Sequence, residues 1–373
     1  MEATISKQGE QDEIQWKQLW SLAALYGSVV IGWIAYQRYQ PKLLVQFEFT
    51  DFTFLLIAVQ GIILTITPMI AGRIGDRYRF ERGNRLPIIS AGISFAAMIF
   101  MAVAFTLLGN PGEIFKWILP VLIVLWLMAM SIFTSPALST IESFMPVEKL
   151  PRAMAILTIV GNLLYALEPV IVDIIDFLGA PATFITGGVV VFVSGYALKK
   201  NAAASLLKSD NKDAVANKID SQPSQYGFIL LMGIALGVAT SCLFNVFPSI
   251  MDAKLADVLK GNNGGIISVG ILIISALLSL PFSTLVTNYG LMRSFWISFI
   301  LVLLSLAGIL FLQSPLAVLL MTAIFAIGFT ALSVSSLPLA IGKANYYQKV
   351  FCVGVFFAGV EGVEAIMDIF QGL

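Results

Sequence analysis

From Ser294 to Gly342 the chain carries no charged residue, and an uncharged stretch of this length is compatible with hydrocarbon rather than water as its surroundings. It is too long for one membrane crossing, and the turn-favouring Gln313, Ser314 and Pro315 divide it into two. The rest of the chain follows suit. Hydrophobic residues make up 58% and charged residues 12%, where soluble proteins carry roughly 25% charge. A water-soluble fold is excluded, and an all-α polytopic membrane protein is expected.

A helix needs about 20 mostly apolar residues to cross the hydrocarbon core. That rule predicts spans at 18–44, 52–73, 86–108, 117–140, 151–176, 180–198, 226–250, 264–287, 294–312, 316–340 and 350–371. The first is long because Pro41 kinks it. Residues 1–17 are polar, lack the apolar core and cleavage site of a secretory signal, and read as a short cytoplasmic tail. With that tail inside, 17 of the 22 basic residues fall on the cytoplasmic side. Only Arg38, Lys42, Lys116, Lys254 and Lys260 fall outside. An inner or plasma membrane location follows, with the lipid bilayer as the obligatory surroundings.

Residues 199–225 are rich in lysine, asparagine, aspartate and serine and read as a flexible cytoplasmic linker. They separate an amino-terminal bundle of six helices, 18–198, from a carboxyl-terminal bundle of five, 226–373, and the two sides repeat each other loosely. Pro68, Asp76, Gly83 and Arg85 are echoed by Pro281, Asn288, Gly290 and Arg293. The stretch SPALSTIESFMP is echoed by SSLPLAIGKANYY. The second side is short by about one helix, which predicts an absent twelfth span, a carboxyl terminus outside and a place for a partner helix to complete that bundle.

Chemistry of other kinds finds no purchase. There is no histidine, and Cys242 and Cys352 each sit alone in apolar runs as packing residues. No catalytic pair, phosphate loop or metal-binding spacing occurs, so neither an enzyme, a cofactor, a metal site nor a nucleic-acid partner is expected.

The segment GRIGDRYRFERGNRLP, Gly72 to Pro87, packs five arginines and an aspartate between two apolar runs and reads as a cytoplasmic turn. Its arginines could simply fix topology, yet that leaves the spacing of Asp76, Gly83 and Pro87 unexplained. The pattern Gly72, Asp76, Arg77, Arg82, Gly83, Arg85, Pro87 resembles the cytoplasmic loop signature of the major facilitator superfamily. Its ending resembles the glycoside-pentoside-hexuronide and plant sucrose transporter branch, with Asn84 where a second basic residue is usual. The resemblance implies a two-bundle fold, alternating access, and a gate role for Asp76, Arg77 and Arg85. It also implies transport of a small polar solute, a sugar or glycoside, while coupling to a proton, or to Na+, rests on the carboxylates within the spans.

Ionisable groups within spans are functional candidates because burying them is costly. Glu168 lies in the fifth span, and Glu361, Glu364 and Asp368 share one face of the last. Glu168, Glu361 and Glu364 are the candidates for proton coupling: desolvation disfavours the charged form, and a substrate or arginine can compete with the proton. Arg38 is either a counter-ion or a side chain reaching the outer headgroups. Asp173, Asp176 and Asp368 read more simply as solvated helix ends, and the carboxylates of the last span could instead face water or a partner. Trp33, Tyr36 and Gln37 offer a surface suited to a sugar, the alternative being an aromatic belt at the membrane interface, to which Tyr39 is assigned, while Asn162, Tyr165 and Asn245 either line a cavity or join helices. Two other readings stay open, an exporter of amphipathic compounds and a non-transporting scaffold on a transporter fold.

Overall fold

The computed structural model describes residues 14–46, 53–109, 112–216, 222–256 and 264–371, and every regular element among them is helical. In chain order α1 is Trp16–Gln46, α2 Thr53–Arg82, α3 Leu86–Leu108, α4 Gly112–Leu138, α5 Leu150–Ala166 and α6 Glu168–Ala216. The second half has α7 at Tyr226–Ser241, α8 at Phe247–Leu255, α9 at Gly264–Tyr289, α10 at Leu291–Phe311, α11 at Pro315–Gly342 and α12 at Lys349–Gln371. Among the described residues, ten helical stretches are long and apolar enough to cross a membrane.

The difference from the eleven expected spans has a local cause. The fifth span is built from α5 and the start of α6. The sixth begins at Gly179, where φ 77° and ψ 165° interrupt α6 without ending it. Between α5 and α6, Pro169 has no N–H to offer the carbonyl of Tyr165, so the helix loosens at Leu167. Proline acts similarly in the seventh span. Pro248 cannot bond the carbonyl of Phe244, and a π-helical turn at Cys242–Val246 joins α7 to α8, with the Phe247 N–H reaching back to the Cys242 carbonyl.

Two expectations need correction. The arginine segment is not a loop: α2 stays helical to Arg82, and the turn is confined to 83–85 around Gly83, which has φ 70°. Nor does the expected linker begin at 199, because α6 runs on to Ala216. Ala202 and Leu206 are fully buried there, Asn201 donates to the Ser21 hydroxyl at 2.7 Å, and Gln18 donates to Ser205 at 3.2 Å. The small and apolar residues of this stretch give α1 a surface to pack on, which its polar composition concealed. Residues 217–221 and the first 13 residues of the expected tail lie outside the described residues.

The two halves meet along two seams, α2 against α12 and α5 against α9, and α12 is held between α2 and α7. The contacts of α12 with α2 and with α7 are close because small residues line them. A methyl group placed on Gly72 would lie 2.5 Å from the Val350 carbonyl oxygen, and one on Gly233 would lie 2.0 Å from that of Phe356. Helix α12 therefore cannot shift sideways without both halves responding.

Candidate functional site

One end of the α2/α12 seam is closed by charge. Gly72, Gly75, Asp76 and Arg79 recur at three- and four-residue spacing, so they share the face of α2 that meets α12. The carboxylate of Asp76 accepts hydrogen bonds from the N–H groups of Val350 at 3.0 Å and Phe351 at 2.8 Å, in the first turn of α12. First-turn N–H groups have no partner within their own helix and sit at its positive end, so a carboxylate is the fitting acceptor. Asp76 thereby ties the first half to the second.

Behind this contact lies Glu142, which is only 6% exposed and is met by three cations. Arg79 approaches it at 3.4 Å, Arg85 at 3.3 Å and Lys349 at 2.5 Å. Arg85 is fully buried and also donates to the Ser139 carbonyl at 3.0 Å and the Ser139 hydroxyl at 2.8 Å. The Arg79 guanidinium stacks 4.8 Å from the ring centre of Tyr346, which heads the segment before α12. Glu142 thus joins cations from both halves. A charge buried this deeply is tolerable only because it is paired and hydrogen-bonded.

Residue by residue, the expected gate is partly reassigned. Asp76, Arg85 and the close-packed Gly72 lie in the closed end, and Gly83 forms the turn that returns Arg85 to it. Arg77 does not join them. Its side chain is 73% exposed and pairs with Glu81 one helical turn along, because it points about 100° away from Asp76. Arg82 is also outside the cluster, over the ring of Tyr78 at 4.8 Å. Arg79, Glu142 and Lys349 were not singled out by the sequence. Arg79 could have been, since it lies three positions after Asp76 on the same face; nothing in the sequence marked Glu142 as the partner.

A cavity of about 500 Å³ opens toward the other end of the molecule, lined by the last turns of α1, the first of α2 and the last of α12. Trp33, Tyr36 and Gln37 from α1 line it together with Tyr165 from α5 and Asn245 from the π-helical turn. Glu361, Glu364 and Asp368 from α12 complete the wall. Tyr36 stacks on Trp126, with ring centres 4.7 Å apart and planes at 10°, and Trp33 meets both edge-on. Gln60 of α2 joins the lining without having been anticipated; it is 9% exposed and its amide nitrogen has no hydrogen-bond partner among the described residues.

Three expected cavity residues stand elsewhere. Arg38 is turned off the face carrying Trp33, Tyr36, Gln37 and Gln40, and forms an ion pair with Asp176, which Lys42 also reaches at 3.0 Å. Asp176, read as a solvated helix end, is therefore an ion-pair partner. Asn162 donates to Ser275 at 2.9 Å and joins α5 to α9. Glu168 is half-buried just beyond Leu167 and is not among the residues lining the cavity.

Residues 52–360 match the family model described as Major Facilitator Superfamily. The chain belongs to the major facilitator superfamily. As a member it has a fold similar to two solved structures of a bacterial homologue of the iron transporter ferroportin in an outward-facing state. One is 14% identical with a TM-score of 0.58. The other, with soaked iron, is 16% identical with a TM-score of 0.63. Each comparison covers 96% of this chain and 91% of the other. Likeness at these identities concerns the fold alone. A comparison with curated proteins finds no match, and the glycoside and sucrose branch gains no support beyond the superfamily itself. A major facilitator fold with a closed end and an open cavity fits a transporter.

Proposed function

We propose that this protein carries a small polar solute across the inner or plasma membrane by alternating access, with proton movement coupled through Glu361 and Glu364. The observation behind the reading is the pairing of one sealed end with one open cavity on the same helix, α12. Its first turn is fastened by Asp76 and its later turns present the carboxylates. If the arginine-rich end is cytoplasmic, as the distribution of basic residues supports, this is an outward-open conformer. A sugar would find amides in Gln37, Gln60 and Asn245 and an aromatic face in Trp33, yet it would leave the carboxylates without a counter-charge. The stacked rings beside the cavity favour the second reading, an exporter of amphipathic compounds.

The test is made in proteoliposomes containing a pH-sensitive dye. Sugars and amines are added one at a time to wild type, Glu361→Gln and Asp76→Asn. The reading expects one solute class to drive proton movement in wild type and neither variant to respond. Correctly inserted wild-type protein that moves neither solute nor proton with any of them would favour the scaffold reading instead.

A further inference from the structure

The cavity wall is chemically one-sided. Three carboxylates, Glu361, Glu364 and Asp368, line it, and none of the described lining residues is basic, because Arg38 and Lys42 are engaged with Asp176. An anion would be repelled from such a chamber, and a neutral solute would displace water from the carboxylates without returning a charge. Trp33 and Tyr36 line the same cavity, and an aromatic π face attracts a cation within about 6 Å of the ring centre. The second, independent sign of a ligand is Gln60. Its side chain is more than nine-tenths buried and lines the cavity, and its amide nitrogen is left without a partner among the described residues. Buried polar groups of this kind are ordinarily satisfied, so a bound polar group is the natural complement. A bare metal ion fits less well. No group of three His, Cys, Asp or Glu side chains among the described residues is placed to hold one, and metals demand several short ligand bonds. The volume, about 500 Å³, is that of a small-molecule site.

We propose that the cavity takes an organic cation, a protonated amine or quaternary ammonium compound. The positive group sits between Glu361 and Glu364 on one side and Trp33 and Tyr36 on the other, and a polar substituent meets Gln60. This rests on the cavity being the transport site, and the two claims separate experimentally.

The full-length protein in detergent is titrated with tetraphenylphosphonium, with choline and with neutral triphenylphosphine oxide, following tryptophan fluorescence and thermal stability. At least one cation should bind, and the pair of substitutions Glu361→Gln and Glu364→Gln should weaken it about tenfold or more while leaving the neutral compound unchanged. If the pair prevents folding, Asp368→Asn at the exposed mouth supplies the same reading on a smaller scale, a loss of about twofold to fivefold that salt diminishes. Binding of neither cation would overturn the proposal, as would cation binding indifferent to these changes or matched by triphenylphosphine oxide. Charge-dependent cation binding without flux in proteoliposomes would uphold the cation and remove the transport reading. Flux of a neutral solute that survives the paired substitution would keep transport and remove the cation.

Discussion

The two halves of the molecule build the same turn and use it differently. Gly83 follows α2 with φ 70° and Gly290 follows α9 with φ 89°, each a left-handed turn that hands the chain to the next helix. Seven positions before each glycine stand Asp76 and Ser283; four positions before stand Arg79 and Val286. Where Asp76 crosses to the N–H groups of α12, Ser283 donates to the Leu280 carbonyl of its own helix at 2.7 Å. Where Arg79 meets Glu142, Val286 packs on Ala155 and Val334. The receiving helix differs as well: Pro151 in the first turn of α5 lacks an N–H that a carboxylate could use. Asn288, which the sequence repeat pairs with Asp76, is exposed. One seam is therefore latched by charge, while the other is held by packing and by neutral hydrogen bonds such as that of Asn162 to Ser275, so on the transport reading the α2/α12 seam is expected to set the energy of opening the arginine-rich end.

The largest test of this contrast is Glu142→Gln. It leaves Arg79, Arg85 and Lys349 facing one another in a buried site, where removing one member of such a cluster costs about 3–5 kcal/mol. A fall in thermal midpoint and loss of transport are expected together. Val286→Ala, at the matching seam, should lower stability by about 1–2 kcal/mol through lost packing and leave any pH or salt response untouched. Equal losses at both positions would dissolve the contrast.

Asp76→Asn comes next. The amide keeps the shape but weakens two hydrogen bonds to a charged acceptor, a change of about 1.5–3 kcal/mol, enough to shift a two-state equilibrium by about tenfold or more. Transport should fall by that order with insertion in the membrane unchanged. Ser283→Ala removes only a bond within α9 and should leave transport within about twofold. Ser283→Asp sharpens the point: a second carboxylate there meets Val286 and Ala155 rather than arginine, so it should destabilise the protein instead of adding a second latch. A more stable Ser283→Asp variant would show that α5 can receive a carboxylate after all.

How far this could be read from the sequence depended on whether the partner lay within the same segment. Asp76, Gly83 and Arg85 were legible because one short stretch holds them at fixed spacings. Arg77 is the arginine that the motif resemblance implies; because α2 continues to Arg82, helical phase turns Arg77 to the surface and leaves Arg79 on the face of Asp76. Glu142 was illegible because its three cations come from three other places in the chain, Arg79 on α2, Arg85 after it and Lys349 on α12. Glu361 and Glu364 were legible from their spacing on one helix face, whereas Arg38 needed the direction of a single side chain, and Glu168 needed the break that Pro169 introduces. Asn245 gained its place from a π-helical turn, which follows from Pro248 only once the surrounding helix is seen to continue.

The smallest effect probes what the halves share. At φ 70° and 89° a side chain is strained whatever space surrounds it, so Gly83→Ala and Gly290→Ala should each cost about 1–2 kcal/mol. Nothing among the described residues lies within 4 Å of the methyl that alanine would add at Gly290, so its cost is backbone strain. Thermal midpoints should therefore fall by similar amounts. Transport should not, because only Gly83 delivers an arginine, Arg85, to the buried carboxylate. Similar stability losses with transport impaired chiefly in Gly83→Ala would show that the turn is common to both halves and the latch belongs to one. Transport impaired equally would mean that the packed seam resists opening as strongly as the charged one, and the asymmetry of charge would then need a different role.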